Sequence, residues 1–206
     1  MNAIRILAVD DHPLFLEGIA AILDGQPDMS LVAEASDGRE AIQQFRAHRP
    51  DVILMDLQMP EMNGLDATIA ICGEDPEARI IVLTTYMGDV LVMRALRAGA
   101  RAYLLKNLLH KELLASIRAV YAGKKTISPE ISYELAQHLP DDALTSAEIE
   151  VLRLIAGGNA NKEIAVQLSL TEETVKGRVR SIFSKLGAND RAHAAMIGVK
   201  RGIIDV

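Results

Sequence analysis

The sequence predicts an α/β domain on a doubly wound, five-stranded parallel sheet, followed by a small all-α domain. Two observations carry this. Over residues 1–122, five short runs of Val, Ile and Leu alternate with amphipathic stretches. The runs are continuous rather than alternating, as in parallel strands covered on both faces. After Leu144 such runs stop, and four segments with helical spacing take their place. The expected domains are 1–122 and 144–206. Residues 123–143 mix Lys124-Lys125, Ser128-Pro129, Pro140 and Asp141-Asp142, and read as a linker with one short helix over 129–138.

In chain order, the strands are expected at 4–9, 31–35, 52–55, 79–83 and 102–105, and the helices between them at 13–24, 38–47, 64–72, 89–98 and 111–122. Pro13 suits a first helical position, where its missing N–H would be unpaired anyway. This β-α alternation is the pattern of a doubly wound sheet. In the second domain Thr145 with Glu148 three residues later forms a capping-box signature for a helix over 146–156. Gly157-Gly158 ends that helix, 161–168 follows, Thr171 caps 172–186, Gly187 ends it, and 191–201 closes the series.

The 206 residues are half apolar, enough for an ordinary core, and the net charge is −6. No apolar run of about 18 residues is present, which excludes a membrane-spanning helix. Met1-Asn2-Ala3-Ile4-Arg5 leads straight to Asp10-Asp11, unlike a secretory leader, so a cytoplasmic protein is expected. Cys72 is the single cysteine, which rules out an intrachain disulfide and argues against a cysteine-held metal. With no Trp and three Phe, a stacking platform for single-stranded nucleic acid is not expected. The charge is uneven. Residues 1–122 carry 11 Lys and Arg against 17 Asp and Glu, whereas 174–201 carry seven basic residues and one acid. Salt screens fields beyond about 8–10 Å, so the local excess decides, and it favours nucleic acid as a partner of the second domain.

Ligands of open parallel sheets sit beyond the carboxyl ends of the strands. Asp10 and Asp11 follow the first strand, Asp56 the third, Thr84 ends the fourth and Lys106 the fifth. Singly, each is an ordinary turn, cap or surface residue. Together they put three carboxylates, a hydroxyl and an ammonium around one crevice. Clustered carboxylates need a cation to stay ionised, and oxygen donors with an incomplete shell suit Mg²⁺. A Lys and a Thr can bind phosphoryl oxygens while an Asp serves as nucleophile, so the set suits phosphoryl transfer to a carboxylate.

These residues lie in stretches that resemble the receiver domain of two-component response regulators: Val9-Asp10-Asp11-His12-Pro13, Leu54-Met55-Asp56-Leu57-Gln58-Met59-Pro60, Asn63-Gly64, Leu83-Thr84-Thr85, and Gly99-Ala100-Arg101-Ala102-Tyr103-Leu104-Leu105-Lys106. The resemblance implies a flavodoxin-like fold with Asp56 as phosphoacceptor. It implies Mg²⁺ held by Asp11, Asp56 and the carbonyl of Gln58, with Asp10 acting through a water. It further implies that Lys106 contacts the phosphoryl group, that Thr84 swings toward it, and that Tyr103 changes rotamer as a switch. The choice of Thr84 over Thr85 rests on the family's spacing. His12 reads as a helix-entry residue before Pro13 rather than as a phosphoacceptor.

On the predicted helix 172–186, Val175, Val179, Ile182, Phe183 and Leu186 form one apolar stripe. Glu173, Lys176, Gly177, Arg180 and Ser184 fall opposite, flanked by Arg178 and Lys185. Gly177 costs a helix roughly 1 kcal/mol relative to Ala, which a close approach of another backbone would explain. Only Ser169-Leu170-Thr171 separates this helix from the one before, as in a helix-turn-helix whose second helix enters the major groove. Leu144-Thr145-Ser146, Glu148-Ile149-Glu150-Val151-Leu152, Asn161-Lys162-Glu163-Ile164-Ala165, Thr174-Val175-Lys176 and Lys185-Leu186-Gly187-Ala188 are similar to the LuxR-type DNA-binding domain. That resemblance places Lys176, Gly177 and Arg180 at base edges of double-stranded DNA, and Lys162, Thr171, Thr174 and Arg178 near phosphates. It makes the last helix the place where two such domains pair. Ala147 stands where the motif commonly has a basic residue and Arg178 where His is frequent, so target sequence and affinity are expected to differ.

The two resemblances, in this order, are those of NarL/FixJ-type response regulators. They imply a transcription regulator, not an enzyme, that takes a phosphoryl group from a histidine kinase, pairs as a homodimer on DNA and has no membrane partner. The alternative is a DNA-binding regulator whose receiver serves dimerisation without phosphorylation. A Mg²⁺-dependent phosphatase would want a second acid two residues after the nucleophile, and position 58 is Gln.

Overall fold

The structure, a computed structural model, describes residues 3–85, 89–127 and 143–204. An α/β unit is built on residues 3–85 and 92–127, and a helical unit on 143–204, with which 89–91 are grouped. The expected helix over 129–138 lies outside the described residues.

The α/β unit carries β1 (Ile4–Val9), β2 (Met29–Ala35), β3 (Val52–Asp56), β4 (Ile80–Thr84) and β5 (Ala102–Leu105), all parallel. A sixth strand, β6 (Thr126–Ile127), pairs in parallel with β5 and corrects the expected five. Two residues are too few to show a periodicity, so nothing in the apolar pattern announces it; it forms because β5 leaves an open edge, where Thr126 N–H donates to Arg101 O at 3.0 Å. The strand order is β2-β1-β3-β4-β5-β6, which reverses direction between β1 and β3. The crevice at that reversal is where ligands of such sheets bind.

Five helices cover the sheet: α1 (Pro13–Asp24), α2 (Gly38–His48), α3 (Gly64–Glu74), α4 (Asp89–Ala98) and α5 (Leu109–Tyr121), the last entered through a 3₁₀ turn at Lys106–Leu108. Their starts are chemically marked. Pro13 opens α1, the Asp37 carboxylate accepts from the N–H groups of Arg39 and Glu40, and the Asn63 side chain accepts from Asp66 N–H. Ile6, Ala8, Leu54, Ile81, Leu83 and Leu104 pack with Ile19 and Leu23 of α1 and Leu113, Ile117 and Val120 of α5. The alternate residues Leu7, Val9, Ile53, Met55, Ile80 and Val82 are buried too. Successive side chains point to opposite faces, so burial of both sets explains why the strands read as continuous apolar runs.

The helical unit holds α6 (Ser146–Ala156), α7 (Asn161–Gln167), α8 (Glu172–Leu186) and α9 (Arg191–Lys200). Val151, Leu152 and Ile155 of α6 meet Ile164, Val175, Val179, Ile182, Leu186 and Ala194 in one core. The capping box forms as read: Thr145 N–H donates to Glu148 Oε2 at 2.7 Å, and Glu148 N–H to Thr145 Oγ1 at 3.3 Å. Glu148 does more than cap. Its buried carboxylate also accepts from Ser181 Oγ at 2.6 Å and Lys185 Nζ at 2.8 Å, tying α6 to α8. Burial pushes this carboxyl up, but the donors from Lys185, Ser181 and Thr145 outweigh it and hold the pKa at about 2. No helix among the described residues is long and apolar enough to cross a membrane.

Two outcomes follow from this packing. A Cβ on Gly64 would land on the Asp56 carbonyl oxygen and crowd Met55 Cγ, so Gly64→Ala should destabilise the α/β unit by about 2–3 kcal/mol in urea unfolding. The Glu148 carboxyl sits below its unfolded value, so its contribution is full above the ordinary Glu range and is lost as pH falls toward 2. Glu148→Gln should therefore cost the helical unit about 2 kcal/mol at pH 7, with the gap to wild type closing in acid. A gap independent of pH in thermal melts would contradict the assigned pairing.

Candidate functional site

The site in the α/β unit begins with strand termination. β1 ends at Val9, leaving Asp10 fully buried and Asp11 partly exposed, and β3 ends on Asp56, 3% exposed. Asp10 N–H donates to Ala35 O at 3.0 Å, which holds the turn in line with the sheet. From the end of β5, Lys106 reaches across. Its Nζ lies 2.6 Å from Asp10 Oδ2 and 3.0 Å from Asp56 Oδ2, with the side chain 11% exposed. Phe15 of α1 lies under the same ammonium, 4.5 Å from ring centroid to Nζ, so a cation–π contact steadies it from the apolar side.

The electrostatics are those of an overloaded anionic pocket. Burial raises the Asp56 carboxyl above the usual Asp range. The hydrogen bond and charge of Lys106 oppose that rise, the Asp10 charge adds to it, and the Gln58 N–H opposes it. Asp10 Oδ2 and Asp11 Oδ1 are buried without a directed hydrogen bond. Asp10, Asp11, His12 and Asp56 each offer a ligand atom, all within 4.8 Å of one another, so this group could hold a cation. Carboxylate oxygens gathered this closely, with Lys106 the ammonium against Asp10 and Asp56, suit a hard divalent ion.

Thr84 and Tyr103 are both buried, and their side chains hydrogen-bond to each other. Burial pushes the Tyr103 phenol above its ordinary range, Thr84 opposes this, and the Asp56 charge adds to it. Thr85 instead is exposed and, with His12, Leu14, Phe15 and Lys106, lines an open depression of about 410 Å³ beside the acids. The structure thus gathers Asp10, Asp11, Asp56 and Lys106 around one point and sets Thr84 and Tyr103 as a buried pair. Two neighbours were not read as part of the site. His12 was read as a helix-entry residue, yet it directly follows the acid pair, which was a usable signal. Phe15 carried none, because nothing in its spacing distinguishes a core ring from one under an ammonium.

In the helical unit, α7 and α8 are joined by a turn in which Ser169 takes a left-handed backbone (φ 54°). The apolar stripe of α8 is buried at Val175, Val179, Ile182 and Leu186. Lys162, Thr171, Thr174, Gly177 and Arg180 are exposed, while Lys176 and Arg178 are half-buried. Thr171 caps α8, accepting from Thr174 N–H at 3.2 Å, so both threonines sit at its N-terminus. Lys176 Nζ lies 3.2 Å from Glu172 Oε1 along the helix. Two expectations are corrected. Lys185 does not flank the basic face but is drawn to Glu148, which a helical wheel drawn on one helix cannot show. Gly177 is not crowded by another backbone, since a Cβ there would meet nothing within 4 Å.

Comparison with known proteins places both units. Residues 6–118 match the profile described as "Response regulator receiver domain", and residues 142–197 that of "Bacterial regulatory proteins, luxR family". Over 98% of the chain it is 39% identical to the transcriptional regulatory protein LiaR of Bacillus subtilis, matched along 100% of that protein. It is 36% identical to the response regulator VraR of Staphylococcus epidermidis, with 98% and 99% of the two chains covered. Among solved structures, the two-component response regulator RcsB in complex with DNA aligns at a TM-score of 0.73 and 28% identity, covering 97% of this chain and 99% of that one.

The role of Lys106 as the neutralising partner has a direct consequence. The Asp56 carboxyl is raised in the folded state, so stability without metal increases as pH falls through that raised value. Lys106→Met should move the Asp56 titration further up in ¹³C carboxyl NMR and cost about 3 kcal/mol at pH 7, a loss that shrinks on acidification. An unmoved Asp56 titration would remove Lys106 from that role.

Proposed function

The chain belongs to the NarL/FixJ-type response regulators, which join a receiver domain to a LuxR-type DNA-binding domain, and from that premise we propose that Asp56 accepts a phosphoryl group from a histidine kinase and thereby gates transcription. The observation that carries this reading is the single buried cluster of Asp10, Asp11, Asp56 and Lys106. Asp56 is the one carboxylate of the set that ends a central strand, with Lys106 held against it.

The Asp56 carboxylate attacks phosphorus in line. An oxygen–phosphorus bond forms, the phosphorus–nitrogen bond of a phosphohistidine breaks, and the imidazole leaves. Asp11, Asp56 and the Gln58 carbonyl, with Asp10 beside them, would hold Mg²⁺, which would supply charge neutralisation at the transferring oxygens. Lys106 gives up part of its pairing with Asp56 to meet a phosphoryl oxygen. The kinase docks over the start of α1, where Leu14 is 82% exposed beside the depression at Phe15 and Thr85. The product adds about 1.5–2 negative charges, and the Thr84 hydroxyl turns toward it. That movement ends its present hydrogen bond to Tyr103 and biases the surface of α4, β5 and α5.

In the helical unit, α8 enters the major groove of double-stranded DNA. Lys176, Gly177 and Arg180 meet base edges, and Lys162, Thr171, Thr174 and Arg178 meet phosphates. Two copies pair through α9 to read adjacent half-sites. The protein acts in the cytoplasm as a regulator and not as an enzyme turning over a free substrate.

Asp56→Asn should incorporate no acid-labile phosphate from a phosphorylated kinase and should lose phosphodonor-stimulated DNA binding; labelling equal to wild type would refute the acceptor. Arg180→Ala should weaken operator binding by about 1–3 kcal/mol in a gel-shift titration, chiefly on the preferred sequence. Equal affinity for the operator would remove α8 from the groove.

A further inference from the structure

We infer that His12 is a ligand residue of the acidic site, adding an imidazole nitrogen to its carboxylates, and that it thereby turns the site's preference toward first-row transition divalents such as Mn²⁺. This rests on the reading that the acid cluster holds a divalent cation. It concerns a side chain to which the phosphotransfer steps assign no role.

The placement of His12 is specific. Its backbone N–H donates to Asp10 Oδ1 at 3.0 Å, which anchors the residue beside the buried acid. Its Nδ1 lies 3.1 Å from Asp10 Oδ1 and 2.7 Å from Asp11 Oδ1. Together with Asp56, these residues offer ligand atoms within 4.8 Å of one another, against about 4.2 Å between opposite donors around an octahedral ion with bonds near 2.1 Å. Two of the carboxylate oxygens, Asp10 Oδ2 and Asp11 Oδ1, are buried and lack a directed hydrogen bond. Asp10 Oδ2 is met by Lys106 Nζ at 2.6 Å and Asp11 Oδ1 by His12 Nδ1 itself, so a cation seated between these oxygens would find the imidazole alongside.

Neither helix capping nor core packing accounts for the His12 side chain, whose polar contacts are with Asp10 and Asp11. It occupies the N-cap position of α1 but makes no capping hydrogen bond with its side chain. Its side chain is 69% exposed, so it is not core packing. It lines the open depression with Phe15, Thr85 and Lys106, on the approach to the acids. Carboxylate and carbonyl oxygens suit Mg²⁺ and Mn²⁺, whereas imidazole adds affinity chiefly for transition ions. One nitrogen in an otherwise oxygen shell therefore separates the two ions: Mg²⁺ gains little and Mn²⁺ gains a bond.

The test uses the full-length protein. Mg²⁺ and Mn²⁺ are titrated separately by calorimetry into wild type and His12→Ala, and pulsed EPR on the Mn²⁺ form reads ¹⁴N coupling. The expected result is a Mn²⁺ Kd raised about tenfold in the variant, a Mg²⁺ Kd moved less than about twofold, and a nitrogen coupling present in wild type and absent from His12→Ala. Asp11→Asn should lose both ions, which ties them to this cluster. Equal losses of both ions in His12→Ala, or wild-type Mn²⁺ without nitrogen coupling, would overturn the inference while leaving the metal site standing. Wild type that binds neither ion would overturn the metal reading along with it.

Discussion

Three carboxylates brought to the ends of two adjacent strands repel one another, and the α/β unit is organised around that repulsion. Asp10 and Asp56 are buried where water cannot screen them, so the protein must supply positive charge from within. Lys106 does so from the end of β5, at the first residue of the 3₁₀ turn that follows. The ammonium is itself nearly buried, with an aromatic face beneath it rather than water. Among the described residues, one cation for three acids leaves the pocket short of positive charge. That shortfall suits the site to a cation, and under the proposed phosphotransfer it would make the pocket's state sensitive to a phosphoryl group.

The same arithmetic of charge sorts the basic residues of the helical unit. Lys185 is consumed internally by Glu148, where it helps three other donors keep a buried carboxylate ionised. Lys176 is lightly held by Glu172 along the helix, a surface pair worth only tenths of a kcal/mol and easily exchanged for a phosphate. Arg180 points outward from the exposed side of α8. Basic residues on one helix thus serve two ends. Lys185, near the C-terminus of α8, fastens it to α6, and Lys176 and Arg180, farther from that end, remain for a partner. Gly177 sits among the latter with open space around it. Its absent side chain answers no need inside the unit and leaves the outward face of the helix low.

Thr84 and Tyr103 are the buried pair through which the proposed charge change at Asp56 would be felt at a distance. Both are buried, both end or occupy central strands, and each holds the other by a hydrogen bond close to Asp56. Packed interiors move between discrete arrangements rather than bending smoothly, so turning one hydroxyl obliges the other side chain to repack.

Local chemistry was legible in the linear chain. Continuous Val, Ile and Leu runs marked β1 to β5 because both faces of the sheet are covered. Pro13, Thr145 with Glu148, Thr171 and Gly187 marked helix ends because capping needs are met within four residues. Topology then carried Asp10, Asp11, Asp56 and Lys106 toward one crevice, since parallel strands put their carboxyl ends on one side. What the sequence could not decide was pairing across elements. Strand β6 depended on the open edge of β5, the place of Lys185 on a carboxylate 37 residues away, and the ring under Lys106 on how α1 lies against the sheet. Periodicity records which way a side chain points from its own backbone; which group it meets there is fixed only when separate elements pack.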